Sequence, residues 1–93
     1  MRQHITMYTT DWCGNCRTAK RFLRDAGIEF EEINIDRDPS AAQRVIGWSG
    51  GRRVIPTLDI RTGDGRQTIL HNPGLRALAF ALGIGEEVER EDH

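Results

Sequence analysis

The sequence predicts an α/β domain in which a four-stranded mixed sheet carries three helices, in the order β-α-β-α-β-β-α. Three observations carry this expectation. Short segments rich in β-branched and aromatic residues alternate with segments whose apolar residues recur every three to four positions. Two helix starts are marked by an Asx-Pro pair, and a glycine follows each apolar stripe. A "TGDG" turn separates the last two apolar runs without room for a helix between them. With 93 residues, the chain can bury one core but not two.

Each element can be justified in turn. "HITMYTT" reads as a strand over His4 to Tyr8. In "CRTAKRFLRDAGI" the period changes: Ala19, Phe22, Leu23 and Ala26 form one helical stripe, and Gly27 stops it. "IEFEEINI" alternates through Phe30, Ile33 and Ile35 as the second strand. Asp38-Pro39 caps and opens the second helix, whose buried side is Ala42, Val45 and Ile46 and whose end is expected at Gly47. "WSGGRR" is a loop, "VIPTLDI" the third strand and "RQTIL" the fourth. Asn72-Pro73 repeats the cap-then-proline start, and Leu75, Leu78, Ala79 and Leu82 make the last stripe before Gly83. Strands joined by a helix are expected to pair in parallel through a right-handed crossover, with the final hairpin antiparallel. This is the minimal thioredoxin-like layout.

The formal net charge of −1 hides an asymmetry. The tail "EEVERED" holds five acidic residues against Arg90, which leaves 12 basic and nine acidic residues in the body. The expected division is therefore a domain over residues 1–85 and an acidic, solubilising tail over 86–93. A mildly basic body suits small anionic substrates or acidic protein surfaces. It lacks the dense basic stripe with aromatics that nucleic acid requires. "MRQHITMYTT" has one basic residue and no apolar signal-peptide core, and no later stretch resembles a membrane span. A cytoplasmic, monomeric protein is the expectation.

Both cysteines lie in "DWCGNC", three positions apart. A structural zinc site needs four ligands, and His4, His71 and His93 do not supply them at metal spacing, so no metal site is expected. A static staple is disfavoured in a reducing compartment. A redox pair fits best. Cys13 falls where a strand loop meets a helix start, and the unpaired N–H groups and dipole there favour a thiolate. Cys16 lies one turn inward, placed to resolve a mixed disulfide on Cys13. Asp11 opposes this, because a nearby carboxylate favours the thiol. Arg17 and Lys20 either support the thiolate or form an ordinary solvated helix face.

"MYTTDWCGNC", "SGGRRVIPT" and "NPGLRAL", in that order, resemble the active-site turn, proline segment and last-helix start of the glutaredoxin family, with mycoredoxin-type proteins of actinobacteria most similar. The resemblance spans roughly residues 4–82. It implies a cis peptide at Ile55-Pro56 facing the cysteines, with the backbone of Ile55 and its neighbour Val54 pairing with substrate. It implies that Arg52 and Arg53 border the thiol groove, Arg53 as a candidate anchor for an anionic thiol; both could equally just solvate the loop. Trp12 would shield the nucleophile or simply pack, and Trp48 would pack the second helix or rim the groove. Two departures stand out. Gly14-Asn15 separates the cysteines in place of Pro-Tyr or Gly-Pro. Asn72, in "HNPG", replaces the Gly-Gly and acidic residues that hold glutathione in many relatives.

The resulting expectation is a thiol-disulfide oxidoreductase with Cys13 and Cys16 as catalytic residues and no tightly bound cofactor. Trp12, Arg53, Val54, Ile55, Pro56 and Asn72 are its candidate thiol- and substrate-binding residues. A low-molecular-weight thiol, glutathione or mycothiol, is the co-substrate, and protein disulfides are partners. The alternatives are a thioredoxin-like reductant fed by a flavoprotein reductase, and an iron–sulfur or metal-binding glutaredoxin.

Overall fold

The computed structural model describes residues 3–84 of the chain. Among them the order is β1 (Gln3–Thr9), α1 (Gly14–Asp25), β2 (Glu31–Asn34), α2 (Pro39–Ser49), β3 (Thr57–Thr62), β4 (Gln67–His71) and α3 (Leu75–Ala81). The sheet order is β2-β1-β3-β4. β1 pairs in parallel with β2, and β1–β3 and β3–β4 are antiparallel. The predicted α/β layout is therefore present, with one correction to the pairing. Only β1 and β2, joined by α1, are parallel neighbours. After α2 the chain returns on the other side of β1, so β2 and β3 do not touch in the sheet. The acidic tail expected over 86–93 lies outside the described residues.

Alternation along the strands divides the core between the two faces of the sheet. Ile5, Met7, Leu58 and Ile60 pack on one side with Ala19 and Leu23 of α1 and Leu78 and Leu82 of the α3 end. Tyr8 and Ile35 pack on the other with Ala41 and Val45 of α2. β1 is buried on both faces, which explains its nearly unbroken run of buried residues from Ile5 to Thr9.

Several boundaries move, each for a local reason. On α1, Ala19 and Leu23 are buried as expected, but Phe22 is only half-buried and Ala26 is an exposed cap. α2 passes through Gly47 and ends at Gly50, which takes φ 77° and closes the helix onto the Ile46 carbonyl. Gly47 lacks that left-handed conformation, and the extra turn sets the Trp48 ring edge-on to Tyr8 at 5.6 Å. Trp48 thus lies on the helix rather than in the expected loop. The buried positions of α2 are Ala41 and Val45, with Ala42 and Ile46 half-buried. β2 is shorter than the apolar run suggested, and β3 begins only after Pro56, whose nitrogen has no hydrogen to give a ladder.

The start of α3 is the largest correction. Asn72 does not cap it. Asn72 has φ 47°, Gly74 occupies the N-cap without a side-chain bond, and the helix begins at Leu75. The Asn72 backbone N–H instead donates to the Pro56 carbonyl at 2.6 Å, which turns the chain away from a helical start. Leu75 is consequently exposed, while Leu78, Ala79 and Leu82 remain buried.

Candidate active site

Cys13 is the N-cap of α1. Its backbone is extended, its carbonyl accepts the first helical bond from the Arg17 N–H at 3.3 Å, and its Sγ accepts the Cys16 backbone N–H at 3.0 Å. A cap acceptor is normally an oxygen of Ser, Thr, Asp or Asn. Here sulfur takes that place, and the N–H that satisfies the cap is one that stabilises negative charge on it. The two cysteines are joined as a disulfide with Cα atoms 5.2 Å apart. Cys13 is 7% exposed and Cys16 1%, so the outer sulfur is the one open to attack or to attack from. Asn15, between them, is exposed and sends its side-chain N–H to Asn72 Oδ1 at 3.2 Å. These two residues and Thr18, Ala19, Pro73, Gly74 and Leu75 line a cleft of about 320 Å³ beside the helix start.

The Ile55-Pro56 peptide is cis. The segment before it is tied at both ends. The Thr57 hydroxyl donates to the Val54 carbonyl at 2.6 Å, and the Asn72 N–H holds the Pro56 carbonyl. Val54 and Ile55 are half-buried and Pro56 is buried, so the proline segment is an ordered part of the fold.

Arg37, Lys20 and Arg53 are each paired with a carboxylate. Arg37 meets Asp11 at 2.7 Å, and Asn34 donates to the other oxygen of Asp11 at 2.9 Å. The carboxylate expected to oppose a Cys13 thiolate is therefore engaged by partners of its own. Lys20 Nζ lies 2.8 Å from Glu32, which also accepts the Thr9 hydroxyl. Burial raises the Glu32 pKa, but the hydrogen bonds from Lys20 and Thr9 outweigh it and hold the carboxyl below its usual range. Arg53 donates to Asp36 Oδ1 at 2.8 Å, and the Trp12 indole N–H donates to Asp36 Oδ2 at 3.2 Å. The Arg53 hydrogen bond, assisted by Trp12, holds Asp36 below the usual carboxylate range. Trp12 itself is 69% exposed.

The fold thus brings Trp12 and Arg53 together through Asp36, and Asn72 to Asn15. Sequence reading did not single out Asp36, Glu32 or Thr57, and weighed His71 only as a metal ligand. Asp36 and Glu32 meet partners 12 to 24 positions away, and Thr57 meets His71 14 positions on, so no local pattern marks them. Among the described residues, no three His, Cys, Asp or Glu side chains converge as a metal site. No helix there is long and apolar enough to cross a membrane.

A cysteine pair at the first turn of a helix, on a sheet of order β2-β1-β3-β4, defines a thiol-disulfide oxidoreductase of thioredoxin-like fold. The glutaredoxin family model matches residues 5–63, and the chain belongs to that family. Mycoredoxin 1 of Corynebacterium glutamicum is 37% identical over 62 residues, 67% of this chain and 73% of that protein. Glutaredoxin-like protein NrdH of Escherichia coli is 46% identical over 54 residues, 58% of this chain and 64% of that one. The solved structure of the Escherichia coli NrdH-redoxin superposes with a TM-score of 0.57 at 34% identity, over 73% of this chain and 80% of that one. A crystal structure of a thioredoxin-like protein gives a TM-score of 0.65 over 82% of this chain and 96% of its own, and its 24% identity speaks for the fold alone.

Proposed function

We propose that the protein reduces disulfides and mixed disulfides at Cys13 and is itself recycled by a low-molecular-weight thiol, mycothiol or glutathione. The observation that carries this reading is the sulfur cap: Cys13 Sγ accepts the Cys16 N–H at a helix start, while Cys16 is buried one turn inward. In the reduced protein the Cys13 thiolate attacks one sulfur of a substrate disulfide. A Cys13–substrate bond forms, and the other substrate sulfur leaves as a thiolate that takes a proton from solvent. Cys16, once deprotonated, attacks Cys13, releases the bound thiol and leaves the Cys13–Cys16 disulfide. Two equivalents of small thiol then return both cysteines to thiols and leave as one disulfide. Val54, Ile55 and Pro56 present the backbone to a substrate chain, and Trp12, Arg53 and Asn72 border the thiol. The chemistry belongs in the cytoplasm, where thiol pools keep such pairs reduced.

A second reading has an observation in its favour. The glutaredoxin-like NrdH-redoxin is described by its thioredoxin-like activity profile, and this chain shares 34% identity with it. A flavoprotein reductase would then be the electron source.

Turnover of hydroxyethyl disulfide with glutathione, mycothiol or a flavoprotein thioredoxin reductase as sole reductant tests both. The proposal expects turnover with a small thiol, loss in Cys13→Ser, and retained mixed-disulfide reduction in Cys16→Ser. Turnover with the reductase alone favours the second reading, and an active Cys13→Ser variant removes the first.

A further inference from the structure

Three cations are each bound by a carboxylate: Arg37 by Asp11, Lys20 by Glu32 and Arg53 by Asp36. Asp36 differs from the other two in what it spans. One of its oxygens accepts from Arg53, three residues before Pro56, and the other accepts the indole N–H of Trp12, the residue preceding Cys13. Both edges of the thiol approach therefore converge on one negative charge. We propose that Asp36 is a specificity-determining residue that sets this site against thiols bearing carboxylates and in favour of thiols whose body is uncharged.

The physical argument has two parts. A carboxylate arriving beside Trp12 finds Arg53 already engaged at 2.8 Å. To use that guanidinium it must either displace Asp36 or share the cation with it, and sharing places two like charges side by side. An uncharged thiol meets neither cost. It finds an exposed indole whose N–H is already satisfied, so the ring offers its apolar face to an uncharged thiol body. Arg17 and Arg52 have no carboxylate partner among the described residues. The proposal concerns the position beside Trp12. It rests on Cys13 as the attacking sulfur and names the class of thiol that sulfur prefers.

The test uses a matched pair of probes, dithiodipropionate and its alcohol analogue bis(hydroxypropyl) disulfide, with oxidised glutathione as a third. Single-turnover oxidation of the reduced protein is followed by thiol quench for the wild type, Asp36→Asn, and Asp36→Asn with Arg53→Gln. Asparagine keeps an oxygen for the Trp12 N–H and removes the charge. The wild type should react faster with the alcohol probe. Asp36→Asn should raise the rates with dithiodipropionate and oxidised glutathione about fivefold and leave the alcohol probe within about twofold, as expected for one local charge at low salt. Adding Arg53→Gln should remove that gain, and Asp36→Ser should shift the ratio in the same direction as Asp36→Asn. An unchanged carboxylate-to-alcohol ratio, a parallel change with all probes, or a gain that survives Arg53→Gln overturns the assignment to Asp36. A protein that reacts with none of the three disulfides instead removes the reading of Cys13 as the attacking sulfur, and this proposal with it.

Discussion

Asn15, between the two cysteines, donates its side-chain N–H to Asn72 at 3.2 Å, and Asn72 in turn gives its backbone N–H to the Pro56 carbonyl. Asn72 therefore joins the first turn of α1, 57 positions before it in sequence, to the proline segment. Its φ of 47° makes the substitution pattern informative. Asn and Gly tolerate the left-handed region and Ala does not, so Asn72→Ala should cost about 1 kcal/mol more than Asn72→Gly. Urea denaturation of the oxidised proteins measures the difference. Equal stabilities would mean the turn relaxes without loss.

The sulfur cap predicts an asymmetry between two inactive variants. Neither Cys13→Ser nor Cys13→Ala can form the disulfide, so their comparison isolates the cap. Serine keeps an acceptor for the Cys16 N–H and alanine removes it, at about 1 kcal/mol. Thermal unfolding under reducing conditions should place Cys13→Ala several degrees below Cys13→Ser.

How far the sequence revealed these features follows from the range of each interaction. The apolar stripes of α1 and α3, the turn before β4 and the placement of Cys13 at a helix start depend on near neighbours and were legible. The Asn72 cap was misread because Asn-Pro fits both a helix start and a left-handed turn. The Pro56 carbonyl, 16 residues earlier, decides between them. The charge around the site was only partly legible. A body with 12 basic and nine acidic residues suggests an anionic ligand, and composition does not reveal that Lys20, Arg37 and Arg53 are paired with carboxylates across 12 to 26 positions. Composition counts charges and cannot show which of them are already satisfied.

Opposite sides of α3 separate burial from hydrophobicity. Leu78 is 0% exposed within the core against Ile5 and Leu58, whereas Phe80 is 76% exposed. Leu78→Ala should lose about 2–5 kcal/mol through lost transfer free energy and the cavity left behind. Phe80→Ala should stay within about 0.5 kcal/mol despite removing the larger side chain. Chemical denaturation of both variants checks the order.

Acid should weaken the fold through Glu32. Its folded pKa lies below its ordinary value, so the stabilisation is present above the unfolded pKa and is lost as pH falls through the folded one. The loss is expected below about pH 4. Glu32 is 36% exposed and Lys20 19%, so solvent screening keeps the effect small. Glu32→Gln should lower stability at neutral pH and flatten its decline between about pH 5 and pH 3, read from denaturation midpoints across that range.

Thr57 and His71 set the last expectation. Thr57 is 0% exposed, and its hydroxyl lies 2.6 Å from the Val54 carbonyl and 2.9 Å from His71 Nδ1. A hydroxyl has one proton to give. Because a carbonyl can only accept, that proton goes to Val54, and His71 must then donate from Nδ1 to Thr57. The ring nitrogen shifts of His71 should accordingly show hydrogen on Nδ1 at neutral pH. Thr57→Val keeps the shape but leaves the Val54 carbonyl and the His71 N–H without this partner, at about 1–3 kcal/mol. It also frees the Val54–Pro56 segment, which we propose faces substrate, so disulfide turnover should fall together with stability. A Thr57→Ser variant, which restores the hydroxyl, should recover turnover. Turnover unchanged in Thr57→Val would show that the proline segment holds its position without this bond.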